Sequence, residues 1–360
     1  MVNPSIRISD LPIYSPGKPI EELQRELGIQ KVVKLASNEN PLGPSKKVTE
    51  RIRSIADQVS LYPDGDCFYL KKQISIHENV LPNELLIGNG SNEILELIAH
   101  AYLDKDDEAI MGEYCFIVYP IVATLSRATI VRSEMPEMTH DLDDILNKIT
   151  NRTKIIFLAN PNNPTGTKVS TEKLKNFFEQ VPARILIVID EAYHQYMNPE
   201  DHLVSSEEIR GHPNLVLLKT FSKAYGLAGL RIGYGVANKT IIDFLNRPRE
   251  PFNVNSLAQA AAIEALADQE HVTNSVELNR KGMIYLKSEL NKISIKTYPS
   301  YANFLLLEFK SEGRIIYEEL LKKGVITRPL ENYGLKNYLR VTIGTVEENE
   351  IFIKSLRGSI

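Results

Sequence analysis

Short runs of β-branched and other apolar residues recur through the middle of the chain, separated by longer stretches with helical spacing. Leu85–Ile87, Thr129–Arg132, Lys154–Ala159, Ile185–Ile189, Leu215–Lys219 and Ile232–Ala237 read as strands. Ile94–Tyr102 and Glu172–Phe178 carry apolar residues at the period of an amphipathic helix. Strands that are apolar on both faces and alternate with helices predict a mostly parallel sheet covered on both sides. The pattern breaks at Pro248 and Pro251, after which an Ala-rich helix (Ser256–Ala267) and a second helical run (Val272–Asn291) follow. Ala302–Phe309 and Leu339–Thr342 read as strands of a smaller α+β unit.

The 360 residues are 43% hydrophobic and 24% charged, with a net charge of −4. That is ample apolar surface for about two domains, and it provides no basic field to draw the chain onto nucleic acid. Met1–Lys18 contains Arg7 and Asp10 and lacks the apolar core of an export signal. The densest apolar run, Ile185–Ile189, is far shorter than a membrane span. Cys67 and Cys115 are the only cysteines, too few for a disulfide framework or a zinc site. The expectation is a soluble, cytoplasmic α/β protein with neither membrane, nucleic acid nor metal ion among its partners.

Three of the strands run directly into polar motifs. Lys154–Ala159 leads into N-P-N-N-P-T-G (Asn160–Gly166), Ile185–Ile189 ends on D-E-A-Y (Asp190–Tyr193), and Leu215–Lys219 leads into T-F-S-K (Thr220–Lys223). In an open parallel sheet ligands bind beyond the carboxyl ends of the strands, so Asn163, Asp190 and Lys223 converge on one crevice if these strands are neighbours. A fourth strand, Leu85–Ile87, leads into G-N-G-S-N-E (Gly88–Glu93) and a helix, a turn whose free N–H groups suit an anion. Taken singly, each motif has a plain reading as a turn, a cap, a solvated lysine or a weak ion pair. I-L-I-V-I-D-E also resembles the magnesium-holding strand of a P-loop ATPase, but G-x-x-x-x-G-K-[ST] is absent. Taken together they suit pyridoxal phosphate. That cofactor needs a lysine to hold its aldehyde as a Schiff base and a carboxylate at its ring nitrogen. Asn163 and Tyr193 are the right donors for its phenolic oxygen, and Ser91, Asn92, Thr220, Ser222 and Arg231 for its phosphate.

N-P-T-G, then D-x-A-Y, then S-K with an arginine eight residues beyond the lysine resembles the fold type I, aspartate-aminotransferase-like enzymes. More narrowly, the chain is similar to the histidinol-phosphate aminotransferases. The residues carrying that likeness are Y-S-P-G-K (Tyr14–Lys18), L-A-S-N-E-N-P-L-G-P (Leu35–Pro44), Tyr62–Pro63, S-K-A-Y-G-L-A-G-L-R-I-G-Y (Ser222–Tyr234) and G-V-I-T-R-P-L (Gly324–Leu330). The resemblance implies the α/β fold of type I pyridoxal-phosphate transferases. In that fold residues 41–250 would form a large cofactor-binding domain with a mostly parallel mixed sheet. Residues 251–360 would form the small α+β domain, and 1–40 an N-terminal arm with part of that small domain.

The same resemblance implies roles. Lys223 would hold the cofactor and move the Cα proton, Asp190 would pair with the ring nitrogen, and Asn163 and Tyr193 would bind the phenolic oxygen. Ser91, Asn92, Thr220, Ser222 and Arg231 would hold the phosphate, and Phe116 would stack on the ring, with Tyr114 of the same E-Y-C-F-I-V-Y stretch as the alternative. Tyr62 would reach the cofactor phosphate of a neighbouring subunit, implying a homodimer with shared active sites. Tyr14 would close over the substrate, and Arg328 and Arg340 would clamp the phosphate of histidinol phosphate. The implied reaction converts L-histidinol phosphate and 2-oxoglutarate to imidazole-acetol phosphate and L-glutamate in histidine biosynthesis. An aromatic amino-acid (phenylalanine/tyrosine) aminotransferase is the second reading, because the same arginines can hold a carboxylate. A threonine-phosphate decarboxylase and a non-catalytic cofactor-binding protein are the remaining ones.

Overall fold

The computed structural model describes Val2, Ile8, Leu11 and residues 17–360. Among these residues thirteen strands form three sheets. In chain order they are β1 (Val33–Lys34), β2 (Leu85–Gly88), β3 (Glu108–Gly112), β4 (Thr129–Ser133), β5 (Thr153–Ala159), β6 (Leu186–Asp190) and β7 (Leu215–Thr220). They continue with β8 (Gly233–Ala237), β9 (Lys296–Thr297), β10 (Phe304–Glu308), β11 (Val325–Ile326), β12 (Arg328–Leu330) and β13 (Leu335–Thr342).

The largest sheet has the order β2-β8-β7-β6-β5-β3-β4. β7, β6, β5, β3 and β4 are parallel neighbours, and β8 runs antiparallel to both β7 and β2. The sheet is thus mostly parallel and mixed, as expected. β3 is the strand the apolar pattern does not announce, because E-A-I-M-G offers three apolar residues between a charge and a glycine. Glu108 is buried there because the Thr150 hydroxyl and the Arg152 guanidinium, at 2.5 and 2.6 Å, satisfy its carboxylate.

Alternation along the central strands divides the apolar side chains between two cores. Ile156 and Leu158 of β5, Ile187 and Ile189 of β6, and Leu215 and Leu217 of β7 face one core. Helices Phe68–Glu78, Thr171–Gln180 and Ser256–Ala267 cover that face. Ile155 and Phe157, Leu186 and Val188, and Val216 and Leu218 face the other, covered by helices Ser91–Tyr102, Val118–Leu125 and Lys239–Leu245. Several helices begin at a polar side chain that satisfies free N–H groups, among them Lys46–Ile55, Thr171–Gln180 and Ser256–Ala267. Asn255 accepts from Ala258 N at 2.8 Å ahead of Ser256–Ala267.

A second, antiparallel sheet has the order β12-β13-β10-β9 and its own core of Leu305, Leu307, Leu339, Val341 and Phe352. The helix Gln269–Lys292 spans both units: Val272 belongs to the large sheet's core, Met283, Leu286 and Leu290 to the smaller one. β1 pairs in parallel with β11, and Leu35 just beyond it bonds to both Ile326 and Thr342. That seam carries Ala36–Asn38 to the carboxyl edge of the large sheet. No helix among the described residues is long and apolar enough to cross a membrane.

Candidate active site

β5, β6 and β7 lie side by side, so the three loops at their carboxyl ends open onto one pocket. Its lining includes Asn163, Asp190, Tyr193, Thr220, Ser222 and Lys223 from these strands and loops. Ser91, Asn92, Phe116, Arg231, Arg328 and Arg340 line it as well, so twelve of the fourteen expected residues share one cavity. Tyr114 instead packs with Met138, Tyr298 and Tyr338 beside the small sheet. Tyr62 lines a separate surface hollow, is 83% exposed and stacks on Phe252 with ring centres 4.8 Å apart. Tyr14 lies outside the described residues.

Asp190, at the last position of β6, points to the pocket face of the sheet and is buried. Burial pushes its carboxyl up to about 6, while the Ala192 N–H and the Tyr119 hydroxyl, each at 3.1 Å, hold it down. Lys223 sits in the turn after β7 and donates to Ser37 O at 3.2 Å. Burial, with the Arg340 guanidinium next in weight, lowers its amine to about 7. An amine poised between its charged and neutral forms and a buried carboxylate therefore face the same space near neutral pH.

Tyr193 is fixed by the Asn38 amide, which donates to its hydroxyl at 2.9 Å. Burial pushes that phenol up to about 12, so it remains an O–H donor. The Arg340 guanidinium donates to Asn163 Oδ1 at 2.5 Å and to Ala36 O at 2.7 Å. This leaves the Asn163 amide nitrogen as a donor toward the pocket.

At the opposite end of the pocket the helix Ser91–Tyr102 begins at Gly90, whose φ is +79°. A Cβ there would lie 2.6 Å from an Arg231 guanidinium nitrogen, so glycine lets the arginine close on the helix start. With Thr220 and Ser222 beside it, this end has the hydroxyls, cation and free N–H groups that a dianion requires. Arg328 and Arg340, both buried, come from β12 and β13 of the smaller sheet.

Asn38, Tyr119 and Tyr333 also belong to the site or support it, and reading the motifs gave them no role. Asn38 lies inside the quoted L-A-S-N-E-N stretch and Tyr119 ends the quoted E-Y-C-F-I-V-Y stretch, which were the available signals; Tyr333 carries none.

A sequence profile of aminotransferase class I and II matches residues 30–356. The histidinol-phosphate aminotransferase of Moorella thermoacetica is 46% identical over 345 residues, spanning 96% of this chain and 89% of that protein. The chain belongs to the histidinol-phosphate aminotransferases. Histidinol-phosphate aminotransferase 1 of Idiomarina loihiensis is 45% identical over 357 residues, with 99% and 97% of the two chains covered. The crystal structure of the Sinorhizobium meliloti histidinol-phosphate aminotransferase in complex with pyridoxal-5'-phosphate superposes with a TM-score of 0.91. It covers 99% of this chain and 98% of that one at 24% identity, a likeness of fold. The aminotransferase fold places the pocket where the two sheets meet, which is how cofactor-type and substrate-type groups come to share it.

Proposed function

We propose that this aminotransferase converts histidinol phosphate and 2-oxoglutarate to imidazole-acetol phosphate and glutamate in histidine biosynthesis, using pyridoxal phosphate. The observation that carries the reading is one pocket holding both a cofactor cradle and two buried arginines. The cofactor, when bound, supplies an electron sink for the substrate Cα.

The residues fit that group. Asp190 is a buried carboxylate without full charge compensation, which a protonated ring nitrogen supplies. With its amine lowered to about 7, Lys223 is uncharged in a large fraction of molecules near neutral pH, so it could bond an aldehyde and serve as the base for the Cα proton. Asn163 and Tyr193 turn N–H and O–H groups toward the phenolic oxygen, and Phe116 is the pocket's aromatic wall. Ser91, Asn92, Thr220, Ser222 and Arg231 receive the phosphate. Histidinol phosphate has no carboxylate, so its own phosphate is the group for Arg328 and Arg340.

A homodimer is part of the same proposal. Val59, Leu61, Tyr62, Phe68 and Tyr69 are each at least 60% exposed, an apolar surface of the kind a second copy covers. Tyr62 would thereby reach the partner's cofactor phosphate. A cytoplasmic setting accords with the free thiols of Cys67 and Cys115.

The test is to add L-histidinol phosphate to the purified, cofactor-loaded protein and follow its visible absorption. Loss of the visible band with a matching rise of the pyridoxamine form supports the reading. A band unmoved by histidinol phosphate but bleached by phenylalanine favours the aromatic alternative. No band after adding pyridoxal phosphate overturns the role of Lys223.

A further inference from the structure

The strands that build the pocket carry a second set of polar groups on the opposite face of the sheet. Because side chains alternate, Asp190 and Thr220 line the pocket while their neighbours Glu191 and Lys219 project to the far side. There Lys219 Nζ lies 2.7 Å from Glu78 Oε2 and 3.8 Å from Glu191 Oε2, and all three side chains are at most 7% exposed. Lys219 also donates to the Ser205 hydroxyl at 3.0 Å. Tyr234, opposite Lys219 in the β7–β8 register, donates to Glu78 at 2.6 Å.

Two carboxylates therefore share one lysine, and they share it unequally. Glu78 receives Lys219, the Ser205 hydroxyl and the Tyr234 hydroxyl. Glu191 Oε2 has no hydrogen-bond partner. The charged groups facing Glu191 are Lys219 from β7, Glu78 from the helix Phe68–Glu78, Glu208 from the helix Ser205–Gly211 and Asp190 on its own strand. His194, whose ring bonds to the Glu191 carbonyl, adds no charge, since burial lowers its pKa to about 3. Glu208 is itself paired with Lys175 at 2.9 Å, which leaves Glu78, Asp190 and Glu191 around Lys219. Three acids against one base, away from water, favour the protonated form of the acid that has the fewest donors.

We propose that Glu191 is a positioning residue for Asp190: it stays a neutral acid in the folded chain, leaving one balanced Glu78–Lys219 pair on the far face and no negative charge behind the pocket carboxylate. Burial first, then Glu78, Asp190 and Glu208, push the Glu191 carboxyl up to about 7 against the pull of Lys219. An ionised Glu191 would raise the proton affinity of Asp190, so that Asp190 would face its ring nitrogen uncharged. That link to Asp190 rests on the pyridoxal-phosphate reading; the proton on Glu191 does not.

Glu191→Gln keeps the shape of the neutral acid and removes its titration. The infrared difference spectrum of wild type minus Glu191→Gln, taken at about pH 6, is expected to show the carbonyl stretch of a protonated carboxylic acid. Without cofactor, the stability of Glu191→Gln relative to wild type should rise as pH climbs from the ordinary 4.5 toward about 7, because over that range the unfolded wild-type chain has released the proton that the fold retains. With cofactor, the acid limb of kcat/KM, where Asp190 takes up its proton, should coincide in wild type and variant, because the glutamine replaces a residue that is already uncharged there. A missing infrared band or a pH-independent stability gap overturns the neutral acid, and an acid limb displaced to lower pH in the variant overturns the link to Asp190. If Glu191→Gln does not fold, an infrared pH titration of the wild type decides: a spectrum with no carboxylic-acid band that fades near pH 7 overturns the proposal. The cofactor-free readouts stand whatever histidinol phosphate does to the visible band.

Discussion

Arg328 and Arg340 stand directly opposite each other across the antiparallel β12–β13 pair. Like charges in that position repel, and an anion between them turns the repulsion into a grip. Arg328→Ala is expected to lower kcat/KM for histidinol phosphate by about 10–100-fold, the loss of charge-assisted bonds worth about 1.5–3 kcal/mol. Steady-state kinetics should place the loss mainly in KM. Unchanged KM would refute the clamp.

Lys223→Ala should abolish the visible cofactor band and reduce transamination by at least about 10²–10⁴-fold. In the wild type the rate should fall as pH drops below about 7, where the amine takes up a proton. Folding of the cofactor-free chain has the corresponding sign. The unfolded state binds this proton up to the ordinary value of 10.5, so stability gained at Lys223 grows as pH rises from about 7 toward that value. Urea titrations across that range should show the gain in wild type and its loss in Lys223→Ala.

Tyr119→Phe removes one of two named donors to the Asp190 carboxylate. The Asp190 pKa should rise, moving the acid limb of the rate profile to higher pH. A lost bond worth about 1 kcal/mol corresponds to a shift of less than about one pH unit. Asp190→Asn removes the charge itself and should cost far more. Rate profiles of both variants against pH distinguish the two effects.

The proposed sharing of active sites between subunits allows a hybrid test. Mixing refolded Lys223→Ala with Tyr62→Ala should restore one intact site per hybrid dimer, about a quarter of wild-type activity for random pairing. Each variant alone should remain inactive or weak. No recovery in a demonstrated hybrid would mean that Tyr62 serves its own subunit or none.

Gly90→Ala places a Cβ where φ is +79° and where the Arg231 guanidinium lies 2.6 Å away. The strain should cost about 1–2 kcal/mol and displace Arg231 from the helix start. Equilibrium dialysis should show weaker retention of pyridoxal phosphate, with histidinol phosphate KM changed less.

The strand–helix alternation made the large sheet readable, and with it the adjacency of Asn163, Asp190 and Lys223, because parallel neighbours put their carboxyl ends on one edge. Asn38 and Tyr119 act on Tyr193 and Asp190 from 155 and 71 residues away, separations that no local motif records. β3 was hidden for a similar reason: Glu108 looks like a surface residue until Arg152, 44 residues on, neutralises it. The two arginines were visible as residues, but their opposition depends on β12 pairing with β13, a register set by folding rather than by either segment alone.

The bond between Arg340 and Asn163 has a bearing on how specificity can change. One end belongs to the smaller sheet and the grip on substrate, the other to the loop that presents donors to the cofactor. Retuning the substrate by replacing Arg340 therefore also re-aims Asn163 and alters the chemistry step. Any drift in preference at position 340 therefore needs a compensating change around Asn163.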